Sequence, residues 1–383
     1  MGMVGGGHGS FIGDVHRMAS RLDSQIELVC GALSSCSERS VLSGRELNLA
    51  ESRCYTSFNQ MFTSERQLPE SERMEFVAIV TPNHLHYPVA KAALENGFHV
   101  LSDKPATLTL NEALELKSTL NNSDKLYALT HTYTGYPMVK QARALVASGQ
   151  LGKVTKIIAE YQQGWLASGE DDSSKQASWR IDPKQAGVSC CMADIGVHAA
   201  NLMEYVSGLA ITELCADLGR VVDGRLLDDD GTVLTRFNNG ARGTLIASQI
   251  AVGEENNLTL RIYGDKASLH WQQQEPNSLW LKFNHQPGQL FRTGVGELSS
   301  AAQRSTRIPA GHPEGYLEAF ANIYTEFANQ ILSVESGEKH ASSNLPGIDE
   351  AIRGMAFIEN TVAAHQSDIK WHDFSVDKSP LGK

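Results

Sequence analysis

From residue 1 to about residue 130 the chain alternates apolar runs with amphipathic stretches, and this alternation restricts the fold more than any other feature. The apolar runs are Met3-Val4, Ile26–Leu33, Glu75–Val80, Phe98–Leu101 and Lys125–Leu129. They are almost wholly apolar, as strands are when helices cover both faces of a parallel sheet. Between them lie Asp14–Leu22, a stretch opened by Ser37-Glu38-Arg39, Ser57–Phe62, His84–Asn96 and Leu110–Leu120, all predicted as helices. Gly97 ends the fourth in the manner of a C-terminal cap. Thr63–Glu72 reads as a polar loop. Strand and helix in strict turn predict an α/β, doubly wound parallel sheet.

The pattern then changes. Met138–Ser148 predicts a helix and Lys153–Tyr161 a strand. Strand-like segments follow one another at Ile211–Leu218, Gly231–Phe237, Ala241–Ile250, Asn257–Tyr263, Ala267–Gln272 and Leu279–Phe283, with Asn238-Asn239-Gly240 as a hairpin turn. Helices return at Tyr316–Leu332 and Asp349–Ala364. Consecutive strands on short turns imply an α+β second domain with a large, open, mostly antiparallel sheet. The expected division is residues 1–130 and 131–383. An open sheet leaves one face to cover, which implies a homodimer or homotetramer through the C-terminal sheet.

The net charge is -11 with no long basic block, which argues against nucleic acid as a partner. The acidic runs Glu170-Asp171-Asp172 and Asp228-Asp229-Asp230 read as solvated loops. No apolar run nears the roughly 18 residues that span a bilayer, so no membrane is expected. No signal-peptide pattern precedes the glycines, and the short first strand leaves open whether residues precede it. The 6 cysteines show no paired spacing, as expected of free thiols in a reducing cytoplasm. Cys190-Cys191 stands close to His198, but adjacent cysteines chelate one ion poorly, and no metal is expected.

Directly after the first apolar run stands Gly5-Gly6-Gly7-His8-Gly9-Ser10-Phe11-Ile12-Gly13. A strand that turns through glycines into a helix offers backbone N–H groups and a positive dipole end to a phosphate. The spacing reads either as Gly7-x-Gly9-x-x-x-Gly13 or as Gly5-x-Gly7 followed by Gly13. Ligands of open α/β sheets bind beyond the C-terminal strand ends. The other ends carry Ser34-Ser35, Thr81-Pro82-Asn83-His84 and Asp103-Lys104-Pro105. Pro105 keeps the Lys104 backbone extended and aims its side chain outward; a plain surface lysine is the alternative.

Asp194-Ile195-Gly196-Val197-His198 leads into a helix, where residues four apart share a face. A mid-helix glycine costs about 1 kcal/mol, which a flat ring resting on that face would offset. Histidine suits proton transfer near neutral pH, and a neighbouring carboxylate can orient it. A structural Asp–His hydrogen bond is the competing reading.

These motifs together resemble the glucose–fructose oxidoreductase, inositol dehydrogenase and MocA family. Asp103-Lys104-Pro105 is similar to its Glu-Lys-Pro signature, with Asp for Glu. Asp194–His198 resembles its D-x-G-x-H helix, and Thr81-Pro82-Asn83-His84-Leu85-His86 its cofactor loop. Asp349–Trp371 resembles its last helix and strand, so the likeness spans nearly the whole chain. The glycine loop is longer than the family's usual turn, and the common glycine pair before Cys190 is missing.

The resemblance implies an N-terminal Rossmann domain carrying NAD or NADP and an oxidoreductase acting on a sugar, anhydrosugar or polyol. Hydride would move between nicotinamide C4 and a carbinol carbon. Lys104 and His198 would polarise the reacting oxygen and pass its proton, with Asp194 placing substrate; which of the two is the formal base stays open. The implied dinucleotide contacts are Gly5, Gly7, Gly9, Ser10, Phe11, Ile12, Ser34, Ser35, Arg39, Thr81, Pro82, Asn83, His84, His86, Lys104 and Pro105. No carboxylate stands at Ser34-Ser35 to hold a ribose 2′-hydroxyl, and Arg39 could bind a 2′-phosphate, which favours NADP. Further substrate candidates are Tyr133, Tyr136, Trp179, Arg180, Asp182 and His312, with helix capping and core packing as the alternative. A dinucleotide-retaining glycosidase of the same fold and a non-catalytic sensor are the rival functions.

Overall fold

A computed structural model describes residues 1–169, 174, 177–337 and 344–382. The run Glu170-Asp171-Asp172 lies outside the described residues. The chain forms two compact units, Met1–His131 with Phe320–Ile352, and Thr132–Ala319 with Arg353–Lys383.

The first unit is built on a five-stranded sheet in the order β2-β1-β3-β4-β5. Its strands are β1 (Gly2–Gly5), β2 (Cys30–Ala32), β3 (Phe76–Val80), β4 (His99–Ser102) and β5 (Tyr127–Leu129), and every pairing is parallel. All of β3 and β4 is buried, in keeping with a sheet covered on both faces. The chain leaves β1 toward β2 and returns on the other side of β1 to form β3, so the strand order reverses between β1 and β3. That reversal opens a crevice at the carboxyl ends of these strands. The loops of Gly5–Ser10 and Thr81–His84 flank it.

Several boundaries differ from the sequence reading. Only Cys30–Ala32 of the Ile26–Leu33 run pairs as strand. Helix Phe58–Glu65 reaches into the expected loop because Glu65 is wholly buried, with Arg53, the Tyr55 hydroxyl and the Met74 N–H around its carboxylate. Phe320, Tyr324 and Phe327 complete this unit by packing against His16 and Phe76.

The second unit holds a nine-stranded sheet in the order β13-β12-β11-β10-β6-β9-β8-β7-β14. Its strands are β6 (Val154–Gln162), β7 (Ile211–Gly219), β8 (Asp230–Phe237), β9 (Arg242–Ser248), β10 (Asn257–Gly264), β11 (Ser268–Gln272), β12 (Ser278–Lys282), β13 (Gln289–Arg292) and β14 (His372–Asp373). Only the β6–β9 pairing is parallel among the described strands. The Asn238–Gly240 hairpin forms as expected, with Gly240 at φ 87°. Alternation buries Val233, Leu258, Leu260, Leu269, Trp271 and Leu281 on one face. Strand β13 was not expected, since its residues are largely exposed and carry little apolar pattern.

The solvated loop expected at Asp228–Asp230 is corrected by the structure. Asp228 and Asp229 are buried, and Asp230 opens β8. The Asp228 carboxylate accepts the Ser189 hydroxyl and the N–H groups of Cys190 and Met192. Asp229 accepts Val221 N–H and Val222 N–H, with Arg225 3.6 Å away. A carboxylate can be buried when backbone donors replace its water.

Candidate active site

In the first unit the glycine loop is fixed by close contacts on three sides. A Cβ on Gly13 would lie 2.5 Å from Gly6 Cα, and one on Gly7 would lie 2.6 Å from the Leu33 carbonyl oxygen. Gly5, Gly6 and Gly9 all take positive φ. The Gly7 N–H donates to Leu33 O at 3.1 Å, just past β2, and the His8 N–H to Ser43 Oγ at 3.1 Å, in helix Ser37–Glu46. Ser10 caps helix Phe11–Arg21 by accepting the Gly13 N–H. The N–H groups of Gly9, Phe11 and Ile12 have no acceptor among the described residues. They head the helix where an anion is favoured. Gly5, Gly6, Gly7 and Gly13 let the loop close, by positive φ or by the lack of a Cβ.

Arg17 lies beneath this loop, 8% exposed, and donates to the Gly6 carbonyl and to the Asp14 carboxylate. Sequence reading missed it; its place one turn past Gly13 on the buried helix face was the available signal. At the end of β2, Ser34 Oγ accepts the Cys36 N–H at 3.2 Å, and Ser35 and Arg39 are exposed. The Arg39 N–H and guanidinium hold the Cys36 thiol below its usual range.

Beyond β3, Thr81 Oγ1 and His84 Nδ1 are buried without a hydrogen-bond partner. Polar atoms so placed await a ligand or water. Asn83 is buried. Both ring nitrogens of His86 meet carbonyls: Nε2 lies 2.8 Å from that of Thr81 and Nδ1 2.6 Å from that of Pro105. Beyond β4, Asp103 Oδ1 accepts the Lys104 N–H and the Thr130 hydroxyl, both at 2.8 Å. His16 Nε2 stands 3.9 Å from Asp103 Oδ2, and His16 Nδ1 meets the Tyr324 hydroxyl at 2.7 Å. Burial alone would raise the Asp103 carboxyl, but His16, with Lys104 and His86, holds it well below the carboxylate range. Burial, aided by the charge of Lys104, pushes His131 down to about 3, so it is neutral.

In the second unit Asp194 sits in a wide π-helical turn, Met192–Gly196, that runs into helix Val197–Ser207. The regular helix expected there is thus widened at Asp194, as such turns often are at functional positions. The ring that meets Gly196 belongs to the protein: a Cβ there would lie 2.7 Å from Met192 Sδ and 3.5 Å from the Phe357 ring. Arg180 Nε stands 3.1 Å from Asp194 Oδ2, which also accepts the Gln249 side-chain amide at 2.9 Å. The guanidinium lies over Trp179, 4.3 Å from its ring centre, and 5.8 Å from that of Trp165.

His198 is 8% exposed, and the Tyr133 ring packs against it edge-on at 4.9 Å. The Tyr133 and Tyr161 hydroxyls are hydrogen-bonded to each other. Tyr161 donates to Asn256 Oδ1 at 2.7 Å, which Gln163 also reaches at 2.8 Å, and the Trp165 indole N–H donates to Gln163 at 2.9 Å. Burial, then the neighbouring tyrosine, holds the Tyr133 hydroxyl well above its usual range. Tyr161, Gln163, Trp165, Gln249 and Asn256 escaped sequence reading.

Three expected substrate contacts are occupied otherwise. Tyr136 is buried between Tyr133 and Trp271. Asp182 caps the turn Pro183–Ala186, accepting the Lys184 N–H and the Gln185 amide. His312 is exposed and contacts its own loop at the Pro309 carbonyl, while Glu314 is the buried member of that segment.

Residues 1–131 match the oxidoreductase family with an NAD-binding Rossmann fold, and residues 139–270 match the GFO/IDH/MocA C-terminal domain. The chain is 34% identical to the oxidoreductase YfiI of Bacillus subtilis over 97% of this chain and 96% of that one. An oxidoreductase from Sinorhizobium meliloti is 46% identical, with TM-score 0.86 over 97% of this chain and 98% of that one. The inositol dehydrogenase homolog of Azotobacter vinelandii, complexed with NAD+, superposes with TM-score 0.92 at 31% identity over 97% and 96% of the two chains. Its complex with NADH and myo-inositol gives TM-score 0.89 at 30% identity, over 97% of each chain. By both family matches and by these relatives, the chain is a member of the GFO/IDH/MocA family of oxidoreductases.

Proposed function

We propose that the protein transfers hydride between a nicotinamide dinucleotide and one carbinol carbon of a neutral sugar, anhydrosugar or polyol. The observation that carries the substrate class is the Arg180–Asp194 pair. The cation at the candidate substrate wall is already balanced by a carboxylate, which suits an uncharged, hydroxyl-rich molecule. The Azotobacter relative, whose complex holds myo-inositol, supports the same class.

The first unit fits the dinucleotide: the glycine cradle admits no Cβ, and three N–H groups head the helix beside it. When bound, the dinucleotide supplies the hydride acceptor or donor at nicotinamide C4. Gly9, Phe11 and Ile12 offer donors to its pyrophosphate, and Ser34, Ser35 and Arg39 take its adenosine ribose. Absence of a carboxylate at Ser34-Ser35, with Arg39 beside Cys36, favours NADP over NAD. Thr81 and His84 present buried polar atoms to the crevice.

Lys104 and His198 polarise the reacting oxygen and carry its proton. Asp194, fixed by Arg180 and Gln249, accepts a hydroxyl of the substrate. The Trp165 and Trp179 faces suit the C–H surface of a sugar ring. Tyr133 orients His198 and stays protonated.

The test is net NAD(P)H formation, followed by absorbance, over a panel that includes levoglucosan, myo-inositol and glucose. Release of a leaving group without net reduction would mean a glycosidase; tight dinucleotide binding without either would mean a sensor.

The outer face of the nine-stranded sheet carries Leu234, Trp280 and Leu290, 39%, 41% and 44% exposed, and Trp280 pairs with Leu290 across β12 and β13. We assign this face to a homodimer or homotetramer contact, which light scattering would refute by finding a single 41.7 kDa species. The 6 free cysteines suit a reducing cytoplasm, and no helix among the described residues is long and apolar enough to cross a membrane.

A further inference from the structure

We propose that His86 is held as a doubly protonated imidazolium that ties the loop after β3 to the segment after β4, and so acts as a positioning residue for Lys104. The ring nitrogens lie 2.8 Å from the Thr81 carbonyl and 2.6 Å from the Pro105 carbonyl. A carbonyl oxygen only accepts hydrogen bonds, so both nitrogens must donate. Neutral imidazole has one N–H and one lone pair. It would serve one carbonyl and turn its lone pair on the other. Turning the ring over would put carbons where the nitrogens stand and leave both carbonyls without a donor. The residue is 1% exposed, so water does not replace the missing bond.

On balance the surroundings push the His86 ring below the ordinary imidazole range, burial most of all, so it is the pair of carbonyls, which only a cation can serve, that holds the second proton. Burial opposes the cation, and so does the ammonium of Lys104. The Asp103 carboxylate and the two carbonyls favour it. His86 opens helix His86–Glu95, whose dipole end opposes it as well. Asp103 offsets burial in part, and its charge stays negative through the whole physiological range. Thr81 is the first residue beyond β3, and Pro105 directly follows Lys104. The imidazolium therefore joins two neighbouring strand ends, one expected to meet dinucleotide and one carrying the lysine. The positioning role rests on the assignment of Lys104 above; the protonation state does not.

A neutron structure of the wild-type protein at about pH 7.5 tests the protonation directly. Deuterium on both Nδ1 and Nε2 of His86 is expected, and one bare nitrogen overturns the proposal. In solution, 15N-histidine spectra should show one imidazolium that keeps both N–H groups at that pH and vanishes in His86→Gln. The amide of that variant reaches only one of the carbonyls. Its kcat should fall, and its KM for dinucleotide rise, by about tenfold or more, since small displacements of a reacting group are costly. A variant within twofold of wild type in both constants would overturn the positioning role. A doubly protonated His86 in a protein that turns over no sugar would refute the proposed function and leave the protonation standing.

Discussion

The Thr130 hydroxyl and the Lys104 N–H donate to the same oxygen of Asp103, each at 2.8 Å. Thr130 is 1% exposed and the Asp103 side chain 15%. Thr130→Val keeps the shape of the side chain and removes the donor to a charged, largely buried acceptor. Stability should fall by about 1.5–3 kcal/mol. Urea unfolding would show this as a lower midpoint with unchanged slope. A loss under about 0.5 kcal/mol would mean that the Lys104 N–H and His16 suffice for the carboxylate.

Lys104 is half-buried and lies beyond the end of β4. Lys104→Met should lower kcat by about 10²–10⁴-fold, the usual contribution of a positioned acid or base. The thermal midpoint should stay near that of wild type. A kcat within about fivefold of wild type would remove Lys104 from the chemistry.

Cofactor preference can be turned at the end of β2. Ser34 Oγ already accepts the Cys36 N–H, and an aspartate there can accept it equally well. Ser34→Asp should therefore fold, repel a 2′-phosphate and bind a 2′-hydroxyl. The ratio of kcat/KM for NADP over NAD should drop by about tenfold or more, equivalent to about 1.4 kcal/mol. Arg39→Ala should lower the same ratio by weakening NADP alone. An unchanged ratio in both variants would place the 2′ site elsewhere.

Acid should destabilise the fold well before carboxylates titrate. Burial pushes His99 down to about 4 and His131 down to about 3. Leu126 N–H donates to His99 Nδ1 at 2.9 Å, a bond that needs the neutral ring. In the unfolded chain both titrate near 6.5, so between that value and their folded values the unfolded state binds more protons. Their stabilisation is complete above about pH 6.5 and is lost as pH falls toward 4. At pH 5 each accounts for about 2 kcal/mol. Urea midpoints at pH 7.5 and 5 should differ accordingly, and His99→Gln should flatten the difference. Equal midpoints in wild type would contradict neutral burial of both rings.

The five parallel strands were legible because burial on both faces writes an unbroken apolar run. Asp103-Lys104-Pro105 and Asp194–His198 stand out as short motifs, and the roles proposed for Lys104, Asp194 and His198 rest on them. Gly7 shows where reading stops: its N–H is spent on Leu33, a neighbour set by how β1 and β2 pair. Tyr161 and Asn256 meet although 95 residues apart, because Asn257 pairs with Gln162 across β10 and β6. No local pattern records that register. The buried Asp228 misleads for the same reason, since its donors come from Ser189–Met192. Asp182 has the right chemistry for a sugar and is used as a cap instead.

The packing of Phe320, Tyr324 and Phe327 on His16 and Phe76 bears on how the protein is made. A ribosome finishes Met1–His131 long before it reaches Phe320–Ile352, yet both belong to one compact unit. During that interval the nascent sheet carries bare aromatic and histidine surface with no cover. The first unit therefore cannot mature in order of synthesis, and a clone cut at residue 131 would inherit the same exposed surface permanently.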